Sequence, residues 1–238
     1  MLEMINAPGF WAAVLQIILI DVVLSGDNAV VIALACRNLP PQQRRLGILW
    51  GVSGAVTLRI LLTFFAVGLL GFPGLKIAGG FLLLWIGIQL LLPDDDEQEI
   101  TPADHLFGAV RTIILADLVM SLDNVVGVAA AAKDNVYLLI FGLAVSIPLI
   151  VGSSQLIMSL MGRFPWIVLG GAGLLGWVAG EMLVADTLWK AWLTATAPWA
   201  NHLIPALGAL LVISVGSWLA RRSLVAARAG RSASEGAD

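Results

Sequence analysis

Two stretches of the chain carry the residues best suited to do chemistry. IILIDVVLSGDNAVVIALA (17–35) and IILADLVMSLDNVVGVAAA (113–131) align without gaps at an offset of 96 residues. Each contains Asp-x-x-x-Ser-x-Asp-Asn. The first copy has Asp21, Ser25, Asp27 and Asn28, and the second has Asp117, Ser121, Asp123 and Asn124. Every ligand atom that converges in these motifs is a carboxylate, hydroxyl or amide oxygen. Such sets suit hard cations such as Mg²⁺, Ca²⁺ or Mn²⁺ rather than Zn²⁺ or Cu²⁺. His105 and His202 fall at predicted span ends, and the single cysteine, Cys36, follows the first motif at a span end. Met120 is the one methionine within either copy, and no methionine stripe converges on them. Carboxylates placed close together also allow one proton to be shared between them.

The spacing constrains how the motif is presented. On a regular helix Asp21, Ser25 and Asn28 share a face, being four and three residues apart. Asp27 lies about 240° around the helix from Asp21. Either the helix unwinds at Gly26 and turns Asp27 and Asn28 into one cavity, or Asp27 addresses a neighbouring helix. Ser-Gly-Asp-Asn is capping and turn chemistry, which favours a break. The second copy has Leu122 in place of Gly26, so less distortion is expected there.

The elements that must position these residues follow from composition. Hydrophobic residues make up 59% of the 238 and charged residues 12%, against about 25% charged in a typical soluble domain. The mean hydropathy is +0.94. The 29 charges of such a chain could hardly hydrate the surface of a soluble globule. The composition excludes a disordered, collagen-like or coiled-coil chain and gives no sign of a nucleic-acid partner. A single cysteine excludes an intrachain disulfide. The class is an all-α membrane protein.

Spanning helices need about 20 mostly apolar residues. Seven stretches qualify, running from Trp11 to Ala35, Gly47 to Leu70, Leu75 to Leu92, Leu106 to Ala132, Val136 to Leu160, Trp166 to Val184 and Leu203 to Arg221. The first reads as a retained helix, since no basic run or small-residue cleavage site precedes it. Lysine and arginine placement sets orientation. With the N-terminus outside, Arg37, Arg44, Arg45, Arg111, Arg163, Arg221, Arg222, Arg228 and Arg231 fall inside, and only Lys76, Lys133 and Lys190 fall outside. N-out and C-in is expected. The acidic loop 93–105 (Asp94, Asp95, Asp96, Glu97) then faces the cytosol, and the tail 222–238 reads as disordered.

An odd number of spans separates the two motifs, so they cross the bilayer in opposite senses. The expected architecture is a single transmembrane domain, 1–221, built from two inverted three-helix repeats, 11–92 and 106–184, plus a seventh helix, 203–221. Gly79-Gly80 with Trp85 in span three echoes Gly170-Gly171 with Trp177 in span six. Such repeats typify secondary transporters, which bind substrate near the midplane at the repeat interface. A carboxylate at mid-bilayer costs about 2.5–3.5 kcal/mol on insertion scales. The four aspartates must therefore be protonated, paired or gathered around a cation. A lone Asp or Asn in a bundle commonly serves as helix–helix glue. Two pseudosymmetric copies argue instead for a site.

Other polar residues fall inside the spans. Arg59, mid-span in helix two, is either a counter-charge that holds an aspartate when metal is absent or a structural ion pair; its repeat-aligned position is Gln155. Glu181, about two-thirds along span six, is an exit ligand or proton carrier on one reading and a packing residue on the other. Trp189, Trp192 and Trp199 read as interfacial anchors.

The doubled D-V-V-L-S-G-D-N and D-L-V-M-S-L-D-N, one opening each half, resembles the signature of the TerC integral membrane family, and more closely its short YjbE-type branch. That family sits in the broad superfamily of LysE-like exporters. The resemblance covers spans one to six. It implies manganese export and metal-ion homeostasis, and the family's name records a link to tellurite resistance. It implies Asp21, Asp27, Asn28, Asp117, Asp123 and Asn124 as the ion site, supported by Ser25, Ser121, Arg59 and Glu181. The residue chemistry stops at a hard divalent cation; the resemblance picks Mn²⁺. The expectation is a transporter of the bacterial inner membrane, with a proton as counter-ion, no prosthetic group, and the oligomeric state open to a homo-oligomer. An exporter of an amino acid or other organic cation is the main rival. An intramembrane aspartyl protease is the remote one. Such proteases carry Gly-x-Gly-Asp where this chain has Ser-Gly-Asp-Asn and Ser-Leu-Asp-Asn, so no enzyme is expected.

Overall fold

The computed structural model describes residues 11, 14, 15, 17, 18, 26–70, 72–93, 102–132 and 136–235. All regular structure among them is helical. The helices are α1 (Gly26–Cys36), α2 (Pro41–Leu70), α3 (Leu75–Gln89), α4 (Pro102–Ala132), α5 (Val136–Arg163), α6 (Trp166–Val184), α7 (Lys190–Thr196) and α8 (Ala200–Glu235). In hydrocarbon every backbone donor and acceptor must be satisfied within the protein, which leaves long helices as the available solution for this composition. Pro41 and Pro102 open α2 and α4, where the missing amide proton costs no helical hydrogen bond. Between α2 and α3, Pro73 precedes Gly74, whose φ of 84° lies in the left-handed region that glycine adopts without strain.

Among the described residues five stretches are long and apolar enough to cross a membrane: Pro41–Thr63, His105–Leu122, Leu139–Arg163, Trp166–Val184 and Ala200–Ser223. They lie on five of the seven expected spans. The first and third expected spans carry shorter apolar helices, Asp27–Cys36 and Leu75–Gln89, among the described residues. α8 runs to Glu235, well beyond the expected end of the last span at Arg221 and into the expected tail. Hydropathy marks where a helix leaves the apolar layer. It does not mark where the helix stops, and the alanines, leucine and arginines after Arg222 have high helix propensity.

The described chain divides into two compact units, 1–75 with 101–164, and 76–100 with 165–238. The division cuts across the sequence repeats, since each unit draws on both. The first unit holds α1, α2, α4 and α5. Its core joins Val14 and Ile17 to Ile32, Cys36, Ile48, Val52, Ile113, Leu139 and Leu143. Small residues bring its helices close: a Cβ on Gly51 would meet the Ile113 side chain, and one on Gly54 the side chain of Ile114. The second unit packs α6 on α8 and α3 on α6. At Gly176 a Cβ would fall on Gly208 Oand lie 2.7 Å from its carbonyl carbon, and at Gly80 it would lie 2.8 Å from Ala179 O. Large apolar side chains face outward in both units, among them Trp50, Phe65, Phe81, Phe107, Trp166 and Trp218. The expected interfacial tryptophans Trp189, Trp192 and Trp199 are exposed around α7. Charged residues such as Arg45, Arg111, Arg163 and Lys190 are exposed as well, and a small set of polar side chains is buried inside.

Candidate ion site

Those buried polar side chains define the site. Asn28 (4% exposed), Arg59 (2%), Asp117 (6%) and Ser121 (0%) all lie within the first unit, on α1, α2 and α4. Asp117 and Ser121 are four residues apart and share a face of α4, as the spacing predicts. Ser121 Oγ donates to Asp117 Oδ2 at 3.0 Å. α4 runs unbroken through Ser121–Asn124, so the second copy is not distorted at Leu122.

Asp117 gathers donors from three helices. Asn28 Nδ2 on α1 donates to Asp117 Oδ1 at 2.7 Å. Arg59 Nη2 on α2 forms a salt bridge with the same oxygen. Arg59 Nε donates to Ser121 Oγ at 2.9 Å, closing a ring of Arg59, Asp117 and Ser121. Arg59 and Asp117 make further interactions besides these. The first and second motif copies are thus joined directly, through Asn28 and Asp117. A guanidinium is always charged and its planar fork suits a carboxylate, so the ion pair keeps both charges compensated away from water.

Asp27 is half-buried in the first turn of α1. Its Oδ1 accepts the backbone N–H of Asn28 at 2.9 Å. Asn28 keeps one polar atom unsatisfied: its Oδ1 is buried without a hydrogen-bond partner among the described residues. Asn28 and Asp117 also line a small cavity with Val31, Ile32, Ala55 and Ile113, roughly large enough for one water or a bare ion. A buried amide oxygen without a partner is costly, and a cation or water there would satisfy it.

The other expected site residues stand as follows. Asp21 and Ser25 lie outside the described residues, as do the side chains of Asp123 and Asn124. The residues that would show whether the helix unwinds before Gly26 are outside them too. Among the described residues no group of three or more His, Cys, Asp or Glu side chains gathers at metal-binding spacing. Glu181 belongs to the second unit, where its carboxylate accepts the Trp177 indole N–H at 2.8 Å, one turn back on the same helix.

Sequence reasoning missed one buried carboxylate. Asp186, 1% exposed, follows α6. Its Oδ2 accepts the backbone N–H groups of Lys76 (3.1 Å) and Ile77 (3.3 Å) at the start of α3, and its Oδ1 accepts that of Leu188 (3.0 Å). It caps a helix from 110 positions away. The only local signal was an Asp in a turn, and that does not name the helix it caps.

Comparison with known proteins agrees with the composition and the doubled motif. The family model described as "Integral membrane protein TerC family" matches residues 6–224. The chain is 47% identical over 174 residues to the Bacillus subtilis (strain 168) protein called "Uncharacterized membrane protein YjbE", covering 73% of this chain and 80% of that one. It is 25% identical over 190 residues to "Uncharacterized membrane protein YceF" of the same organism, covering 76% and 74%. It is 24% identical over 179 residues to "UPF0053 inner membrane protein YgdQ" of Escherichia coli (strain K12), covering 68% and 75%. No solved structure matches the chain at a significant level. The chain is a multi-pass integral membrane protein and belongs to the TerC family.

Proposed function

We propose that this protein is a secondary transporter that exports a hard divalent cation, Mn²⁺ foremost, through the paired Asp-x-x-x-Ser-x-Asp-Asn motifs. The observation that supports this reading is the Asn28–Asp117 hydrogen bond. It joins the two motif copies at a buried point beside a small cavity, and one amide oxygen there has no partner among the described residues. The ligand atoms on offer are Asp27, Asn28 and Asp117 oxygens, with Asp21, Asp123 and Asn124 as the remaining members of the motifs. Oxygen donors select a hard cation, and membership of the TerC family favours manganese within that class. Inverted repeats suit alternating access. The setting proposed is the bacterial cytoplasmic membrane, with seven crossings and the N-terminus outside.

The test is ligand-dependent stabilisation of the purified full-length protein, compared across Mn²⁺, Ca²⁺, Mg²⁺ and lysine. Mn²⁺ is expected to stabilise most. Preference for lysine over all three metals would replace this reading with an organic-cation exporter. In proteoliposomes Asp27→Asn is expected to abolish Mn²⁺ flux while the protein still inserts and folds, because Asp27 is not the partner of Arg59 in the described ion pair. Normal flux in that variant would sink the assignment of Asp27 as a ligand.

A further inference from the structure

The ion site described above already contains a cation. Arg59 is buried at 2% exposure, its guanidinium is fixed by Ser121, and it forms an ion pair with the carboxylate that Asn28 also holds. Asp117 Oδ1 therefore accepts two donors, and Oδ2 accepts Ser121. A metal that ligates Asp117 must take an oxygen already committed to an internal donor. Of those donors only Arg59 carries charge, and it stays charged at any physiological pH. Two positive charges on one buried carboxylate repel, so metal and guanidinium compete. The competition is one-sided. The position aligned with Arg59 in the second repeat is Gln155, which is exposed and neutral.

We propose that Arg59 is a tethered counter-cation that occupies Asp117 in the empty carrier and is exchanged for the metal cargo. This rests on the ion-site reading above. A carrier must cross back without its substrate, and an uncompensated carboxylate in the membrane opposes that step. Arg59 supplies the missing charge from within the chain, at the expense of affinity for the metal. The residue thus trades tight binding for release and return.

The decisive variant is Arg59→Gln, which makes the first half match the second. Full-length protein in detergent is titrated with Mn²⁺ for Kd, and the same preparation in liposomes is assayed for net Mn²⁺ efflux and for Mn²⁺/Mn²⁺ exchange. Arg59→Gln is expected to lower Kd by roughly tenfold or more, a coupling in the usual range between linked ligands. Net efflux should fall relative to exchange, because exchange never requires the empty carrier to return. Mn²⁺ should also raise the thermal stability of Arg59→Gln more than that of wild type. An unchanged or higher Kd in folded Arg59→Gln would overturn the proposal. If that variant does not fold, Ser121→Ala carries the test, since it removes the second anchor of Arg59 without changing charge. It should lower Kd by a smaller factor, whereas a higher Kd would make Ser121 a ligand and overturn the proposal. Wild-type protein that binds no Mn²⁺ would remove the ion site itself. Wild type that binds and transports, with Kd unmoved in Arg59→Gln, would remove only the role of Arg59.

Discussion

Replacing Asp117 by Asn retains the shape of the side chain and removes its charge, which leaves Arg59 buried with less compensation. Breaking one partner out of a buried ion pair costs about 3–5 kcal/mol, because the other charge stays desolvated. Arg59→Gln should cost a similar amount from the opposite side. In the double variant both charges are gone, and Gln and Asn can still hydrogen-bond. Its loss should be no larger than that of either single variant, giving a coupling energy of at least about 3 kcal/mol. Ordinary polar contacts between membrane helices average about 0.6 kcal/mol and reach about 1.7, so the size of the coupling separates a charge pair from neutral helix glue. The nine tryptophans permit the measurement by SDS-titrated unfolding followed by fluorescence. Additive losses, with coupling under about 0.5 kcal/mol, would show that Arg59 is neutralised elsewhere, and the account of the site would fail.

Three further outcomes are expected. Gly176→Ala should destabilise by several kcal/mol, since its Cβ would strike the Gly208 backbone, whereas Gly170→Ala on the same helix meets nothing within 4 Å and should be neutral or slightly stabilising. Equal stability of the two in the same unfolding assay would contradict the α6–α8 packing. Asp186→Ala should cost about 2 kcal/mol through loss of the cap on α3 and its buried hydrogen bonds; a change below about 0.5 kcal/mol would deny the cap. Cys36, fully buried against Leu39 and Ile48, should resist maleimide labelling in folded protein and react after SDS denaturation. Rapid labelling of the native state would place it at a surface.

Much of this molecule is written locally. A run of about 20 apolar residues announces a membrane helix whatever its neighbours are, so the class and the positions of five long helices are legible from hydropathy. The doubled motif is legible too, because a repeat is a property of the sequence, and the spacing of Asp117 and Ser121 predicts their shared face. Where α8 ends was not legible, since leaving the apolar layer and ending a helix obey different rules.

What lies beyond the sequence is the choice of partner. Helical spacing says which side chains share a face, but the rotation and packing of whole helices decide what that face meets. Arg59 lies 58 positions from Asp117, Asn28 lies 89 from it, and Asp186 lies 110 from the amide it caps. Glu181, whose sequence context names no partner, accepts the indole N–H of Trp177 on its own helix. The sequence placed costly charges in an apolar chain and required that each be compensated. Tertiary packing assigned the compensation, because a buried charge can be met only by groups that distant helices carry to it.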